Sequence, residues 1–136
     1  MKARIDNLLL AGAALWCASI LAAPALSLTP IYEFFSLICH QQPERSWFLM
    51  GQPLPVCIRC AAIYFGFLAA LIAKRQPAAV LLKVAIVLTL GEVCFEWLVM
   101  DSVVARSFTG LLLGASAAPF VRIGVEQMFG VQSDAL

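Results

Sequence analysis

Charge is scarce in this sequence. Asp, Glu, Lys and Arg make up 12% of its 136 residues, about half the share of an ordinary soluble domain. What charge there is nearly cancels, nine Lys and Arg against eight Asp and Glu for a net of +1. That balance excludes the basic footprint a nucleic-acid partner requires. Also missing are a Rossmann glycine pattern, a P-loop, a nucleophile elbow and a His-Glu-x-x-His pair, which excludes the common cofactor and hydrolase chemistries. Apolar residues take up the balance, at 62% of the chain. A soluble globule of this size keeps about a third of its surface wet and has nowhere to hide so much apolar area. The fold class expected is therefore all-α: an integral membrane helical bundle forming a single domain over residues 1–136, with the lipid bilayer as its main partner.

The few charges mark where the chain crosses, since a spanning helix needs about 20 mostly apolar residues. Four spans are expected, over about 8–28, 57–73, 78–100 and 107–121, with a long loop at 29–56. The third carries Lys83, Glu92 and Glu96, and the fourth is expected to end at Arg122. Lys2, Arg4, Lys74, Arg75, Lys83 and Arg122 fall on one side, and Arg45, Arg59 and Arg106 on the other. Six against three places both termini in the cytoplasm of an inner-membrane protein and turns the long loop outward. The first span has a rival reading as a cleaved secretory signal ending near Ala23-Pro24-Ala25, but its apolar run is longer than a signal core and Pro24 is awkward before a cut. The tail from Val131 to Leu136 is polar enough to fray.

The loop carries the chemistry. It and the start of the second span hold Cys39, His40, Cys57 and Cys60, the densest set of soft ligands in the chain. Pro43, Gly51, Pro53 and Pro55 between them stop helix and pin the loop. The Cys57-x-x-Cys60 pair then falls on the first turn of a helix, where free backbone N–H groups, the dipole and Arg59 favour thiolate. Three chemistries fit such residues. Zinc takes Cys and His in fours, so a Cys39/His40 half and a Cys57/Cys60 half complete a site, with zinc the first choice and copper(I) the second. His40 is adjacent to Cys39, and neighbouring side chains diverge, so it is either a ligand or a group that orients one. Cys57 and Cys60 also suit a thiol–disulfide oxidoreductase, with Cys39 as relay and a redox protein as partner; a metal site calls for a metal-donor protein instead. A structural disulfide such as Cys39 to Cys57 is the third. Cys17 and Cys94, inside spans, are expected to be packing residues.

The stretch Cys39-His-Gln-Gln-Pro-Glu-Arg-Ser46, then Pro55-Val-Cys-Ile-Arg-Cys-Ala-Ala-Ile-Tyr-Phe-Gly66, and later Arg106-Ser-Phe-Thr-Gly110, resembles the signature of a family of small bacterial and archaeal membrane proteins, domain of unknown function 2085. The resemblance covers roughly Phe35 to Gly114 and implies a multi-span membrane protein, without implying an activity. The family pattern continues Cys-Thr-Gly-Ile-Tyr after the second cysteine. This chain has Ala61-Ala62 there and offers no hydroxyl.

Glu92 and Glu96 lie four residues apart, on one face of the third span. Carboxylates at that depth face protein, water or a partner charge. A buried ion cluster of Glu96 or Asp101 with Arg59 and Arg106 is expected; a cation or proton route below the cysteines, or a glutamate oxygen on the metal itself, are the alternatives. Trp47, Phe48, Tyr64, Phe65 and Trp97 read as an interfacial belt, and Tyr32, Phe34 and Phe35 as a short surface helix before Cys39. Gly110, Gly114, Ala115, Ser116, Ala117 and Ala118 line the fourth span and permit close contact, within a bundle or in a homo-oligomer.

Overall fold

The structure, a computed structural model, describes residues 1–98 and 102–130; Asp101 and the Val131–Leu136 tail lie outside them. Helices dominate the described residues: α1 (Lys2–Ala25), α2 (Thr29–Ser36), α3 (Ile58–Ile72), α4 (Ala79–Leu98) and α5 (Val103–Met128). Two of them, α1 and α5, are long and apolar enough to cross a membrane, while α3 is apolar but shorter. The exterior is apolar, with Leu8, Leu15, Val80, Val87 and Phe108 all exposed. That is the surface a bilayer solvates and water does not.

The centre of the bundle is the α3–α5 pair, with α1 packed on α3 and α4 packed on α5. Glycines set how close the central pair comes. A Cβ at Gly110 would stand 2.8 Å from the Arg59 carbonyl oxygen and 2.9 Å from the Ala62 Cβ. One at Gly66 would collide with the Leu111 backbone, and one at Gly114 with the Ile63 carbonyl. The two backbones therefore touch, as in small-xxx-small helix pairs, where dispersion replaces the hydrophobic effect that lipid cannot supply. The small-residue stripe of α5 is thus used inside the chain.

Helix ends differ from the sequence expectation at α5. Ser102 caps it, its Oγ accepting from the Ala105 N–H at 3.3 Å. The helix then runs through Arg122 to Met128 instead of stopping at Val121. Arg122 is no boundary because its charge is met: Nε lies 2.7 Å from Asp6 Oδ1 and 3.3 Å from Glu126 Oε1. Lys2 Nζ stands 3.7 Å from Glu126 Oε2, and Glu126 is almost wholly buried. This cluster ties the first turns of α1, which begins at Lys2 rather than Leu8, to the last turns of α5.

The loop between α1 and α3 is built, not slack. Pro30 at the start of α2 supplies the φ that a first helical turn needs. Phe35 is buried, and Trp16 of α1 meets Phe35, Phe34 and Tyr64 edge-on at centroid distances of 5.2, 5.7 and 5.7 Å. After a 3₁₀ turn at Pro43–Arg45 comes a two-stranded hairpin that the sequence pattern did not announce, β1 (Phe48–Leu49) against β2 (Gln52–Pro53). Met50 and Gly51 at its tip have φ of +53° and +80°, the positive pair that matches a tight turn to strand twist. Of the four long helices α4 is the least embedded: of its residues only Ala85 is buried. Cys94 is exposed on it rather than packed, whereas Cys17 is buried with its thiol 3.5 Å from the Tyr64 carbonyl.

Two helical glycines with opposite surroundings test this account. Gly114→Ala should cost about 1–3 kcal/mol by overpacking a backbone contact. Gly12→Ala, where nothing lies within 4 Å, should be neutral or stabilising by up to about 1 kcal/mol through helix propensity. Thermal unfolding in detergent, read by circular dichroism, checks both signs.

Candidate metal centre

Three features of the chain carry Cys39 to the start of α3. Backbone bonding at the end of α2 turns the chain back, with the Cys39 N–H donating to the Phe35 carbonyl at 2.9 Å. Gln41 then takes φ of +47°, and its side-chain amide donates to the carbonyls of Tyr32 and, at 2.9 Å, Pro55. The Tyr32 hydroxyl donates in turn to the Pro53 carbonyl at 2.6 Å. Gln41 thus clamps both sides of the loop. Sequence reading passed over it, and its only local mark is its place between His40 and Gln42-Pro43. Pro55 and Val56 are buried beneath the loop beside Ile20, Phe35 and Leu54.

The result is a triangle of sulfurs. The Sγ atoms of Cys39, Cys57 and Cys60 all lie within 4.8 Å of one another. Cys57 caps α3 in an extended conformation, and its N–H donates to Cys39 Sγ at 3.2 Å. Cys39 is buried, while Cys57 and Cys60 are half-buried. All five cysteines are free thiols, so the loop is held by hydrogen bonds and packing and carries no Cys39–Cys57 staple. His40 is exposed and stands outside the sulfur triangle, although it lines the same cavity of about 330 Å³ as the three thiols.

Cys57, just ahead of the helix, is held well below the usual thiol range, at about 5. The Cys60 thiol beside it is the main cause and outweighs the cost of partial burial; the backbone N–H of Cys60, the Cys39 thiol and the backbone N–H of Arg59 add to it. The Arg59 side chain is occupied elsewhere. Its Nη2 lies 2.8 and 2.9 Å from the two Glu92 carboxylate oxygens and 3.0 Å from Glu96 Oε2. The expected help from the Arg59 charge therefore goes to α4, and the local thiol and amides lower Cys57 instead.

Glu92, whose partner the sequence did not disclose, is thus paired to Arg59. Arg106 completes the group, bonded through Nε to Glu96 and 3.9 Å from Glu92 Oε1. The side chains of Arg106, Glu92 and Glu96 are each exposed by a tenth or less. Such a cluster holds its members by mutual charge and hydrogen bonds, since any one left alone at that depth would carry a large desolvation cost. Both glutamates point to the arginines, and neither joins the sulfur group. Among the aromatic residues, Trp47, Tyr64 and Phe65 pack on the core beneath the cysteines, while Phe48 and Trp97 are exposed.

Comparison with known proteins follows the same residues. The family described as "Predicted membrane protein (DUF2085)" matches residues 39–120. An uncharacterized protein of Methanothermobacter thermautotrophicus is 35% identical over 98 residues, covering 65% of this chain and 88% of that protein. An uncharacterized protein of Methanocaldococcus jannaschii is 50% identical over 42 residues, covering 31% of this chain and only 27% of its own length. No solved structure matches the chain. The family match opens at Cys39 and takes in Cys57, Arg59, Cys60, Glu92, Glu96 and Arg106, so the sulfur triangle and its ion cluster both lie within it, and the chain belongs to the DUF2085 family of predicted membrane proteins.

Proposed function

We propose that the chain is a four-span inner-membrane protein that holds one thiophilic metal ion at its outward end. Cys39, Cys57 and Cys60 are the ligands, and zinc is the first choice of ion, with copper(I) second. One observation carries the reading: three sulfurs from two separate segments lie within 4.8 Å of one another in the wall of one cavity. That spread suits metal–thiolate bonds of about 2.3 Å after small side-chain shifts. His40 lines the same cavity but is exposed and stands outside the sulfur group, so it is not counted among the ligands. The Arg59–Glu92–Glu96–Arg106 cluster fixes the α3 turn that carries two of the ligands to α4 and α5, and serves as support rather than as an ion route. Lys and Arg placement favours cytoplasmic termini, so a metal-donor protein on the outer side is the partner this reading calls for. A homo-oligomer would use the exposed α4 face, because the glycine stripe of α5 is already covered by α3.

The protein purified in detergent should carry close to one equivalent of metal. Replacing Cys57 and Cys60 by Ser should remove it while the helical circular dichroism is retained. Metal in the double variant at the native level would end the proposal.

A second reading, dithiol–disulfide exchange at Cys57 and Cys60, is favoured by one observation, the lowered Cys57 thiol. Ionised below neutrality, that sulfur is the attacking group such chemistry needs. In metal-free protein its alkylation by iodoacetamide should be half-maximal near pH 5, in place of about 8.5 for a free cysteine. Below that pH the thiolate is lost and the rate should fall about tenfold per unit. A profile centred near 8.5 would remove the support for this reading.

A further inference from the structure

The sulfur triangle is one ligand short for zinc, and the structure points to where the fourth comes from. Among the described residues no fourth Cys, His, Asp or Glu donor joins the group of Cys39, Cys57 and Cys60. The neighbouring candidate, His40, follows Cys39 directly, and its side chain is exposed. Structural zinc sites are closed by four protein ligands, whereas sites with three keep a position for an exchanging group. Here the position opens on space. All three cysteines line a cavity of about 330 Å³. This is roughly ten times the volume one water takes up in the liquid, and at the lower end of the range for small-molecule sites.

The chemistry of that space narrows the occupant. An ion already held by three thiolates is soft in its preferences, and sulfur outranks oxygen as its next donor. Beyond the sulfurs the cavity wall is mixed, with apolar Ile38 beside the exposed Gln42 and Arg45, and no carboxylate lines it among the described residues. Among the described residues, the like charges an incoming thiolate meets in this wall are therefore the three cysteine sulfurs, which the shared ion offsets. Arg59 and Arg106 also line it, their charge met by Glu92 and Glu96 on α4.

We propose that the site is a ternary one: a thiophilic ion on Cys39, Cys57 and Cys60, closed by the thiolate of a small molecule from outside the chain that occupies the cavity. Binding forms one metal–sulfur bond, displaces a bound water and releases the thiol proton to solvent; no electrons move. This rests on the metal-centre reading above and adds the identity of the fourth ligand to it.

The test uses the full-length protein in detergent without oxygen, loaded with one equivalent of Co²⁺ as a coloured stand-in for zinc. L-Cysteine is titrated in, with L-serine as the oxygen counterpart. The sulfur-to-cobalt charge-transfer absorbance should rise by about one third, saturating at one equivalent, and L-serine should leave it unchanged. Gln42→Trp, which fills the mouth from an exposed position, should weaken cysteine binding at least tenfold and keep the cobalt. His40→Ala should leave the spectrum before titration as it was. The proposal is overturned if L-cysteine adds no absorbance, if it strips the cobalt into solution, or if His40→Ala alters the starting spectrum and so shows the fourth position already filled. A protein that binds no cobalt overturns the metal reading itself, and the ternary site with it.

Discussion

The contact between the backbones of α3 and α5 is the constraint on which the rest of the molecule depends. Lipid gives two apolar helices no reason to associate, so the pair is held by close packing, and close packing here needs Gly66, Gly110 and Gly114. Because the approach at Gly110 is to the carbonyl of Arg59 itself, the contact also fixes the level at which Arg59 and Arg106 stand side by side. Glu92 and Glu96 of α4 then have one place to go. A helix with a single fully buried residue is held near its C-terminal end by four charges.

The same arrangement delivers the thiols. Cys57 and Cys60 flank Arg59, so the turn of α3 that bears them is anchored on one side to α5 and on the other to α4. The loop brings the third sulfur by a separate route, through the Gln41 clamp and the buried Pro55–Val56 segment beneath it. Neither route depends on a disulfide. A thiol cluster assembled from two independently held segments remains free to bind, because its geometry does not consume its sulfurs.

Much of this was legible in the sequence because the informative residues are rare. Charge-free runs located the long helices, although α1 begins six residues earlier and α5 ends seven residues later than expected, and five cysteines with one histidine left few ways to build a site. The short helix at Tyr32–Phe35, the helix start at Cys57 and the nearness of Glu96 to Arg59 and Arg106 all follow from local pattern and depth. What was not legible depends on partners distant in the chain. Arg122 looked like the end of a span because its partner Asp6 lies 116 positions away. Glu92 looked unpartnered because a sequence does not say which side of a helix faces another. Gln41 carries no motif, and its role is visible only once Tyr32 and Pro55 are seen on either side of it. The hairpin at 48–53 is too short for alternation to register, and Pro53 disguises its second strand.

The central claim is that three sulfurs from this chain share one ion, and X-ray absorption at the metal edge tests it most directly. The purified protein, measured with no added thiol, should show three sulfur scatterers at about 2.3 Å from zinc, falling to one in the Cys57→Ser, Cys60→Ser double variant if any metal stays. A native spectrum dominated by nitrogen and oxygen scatterers would contradict the account.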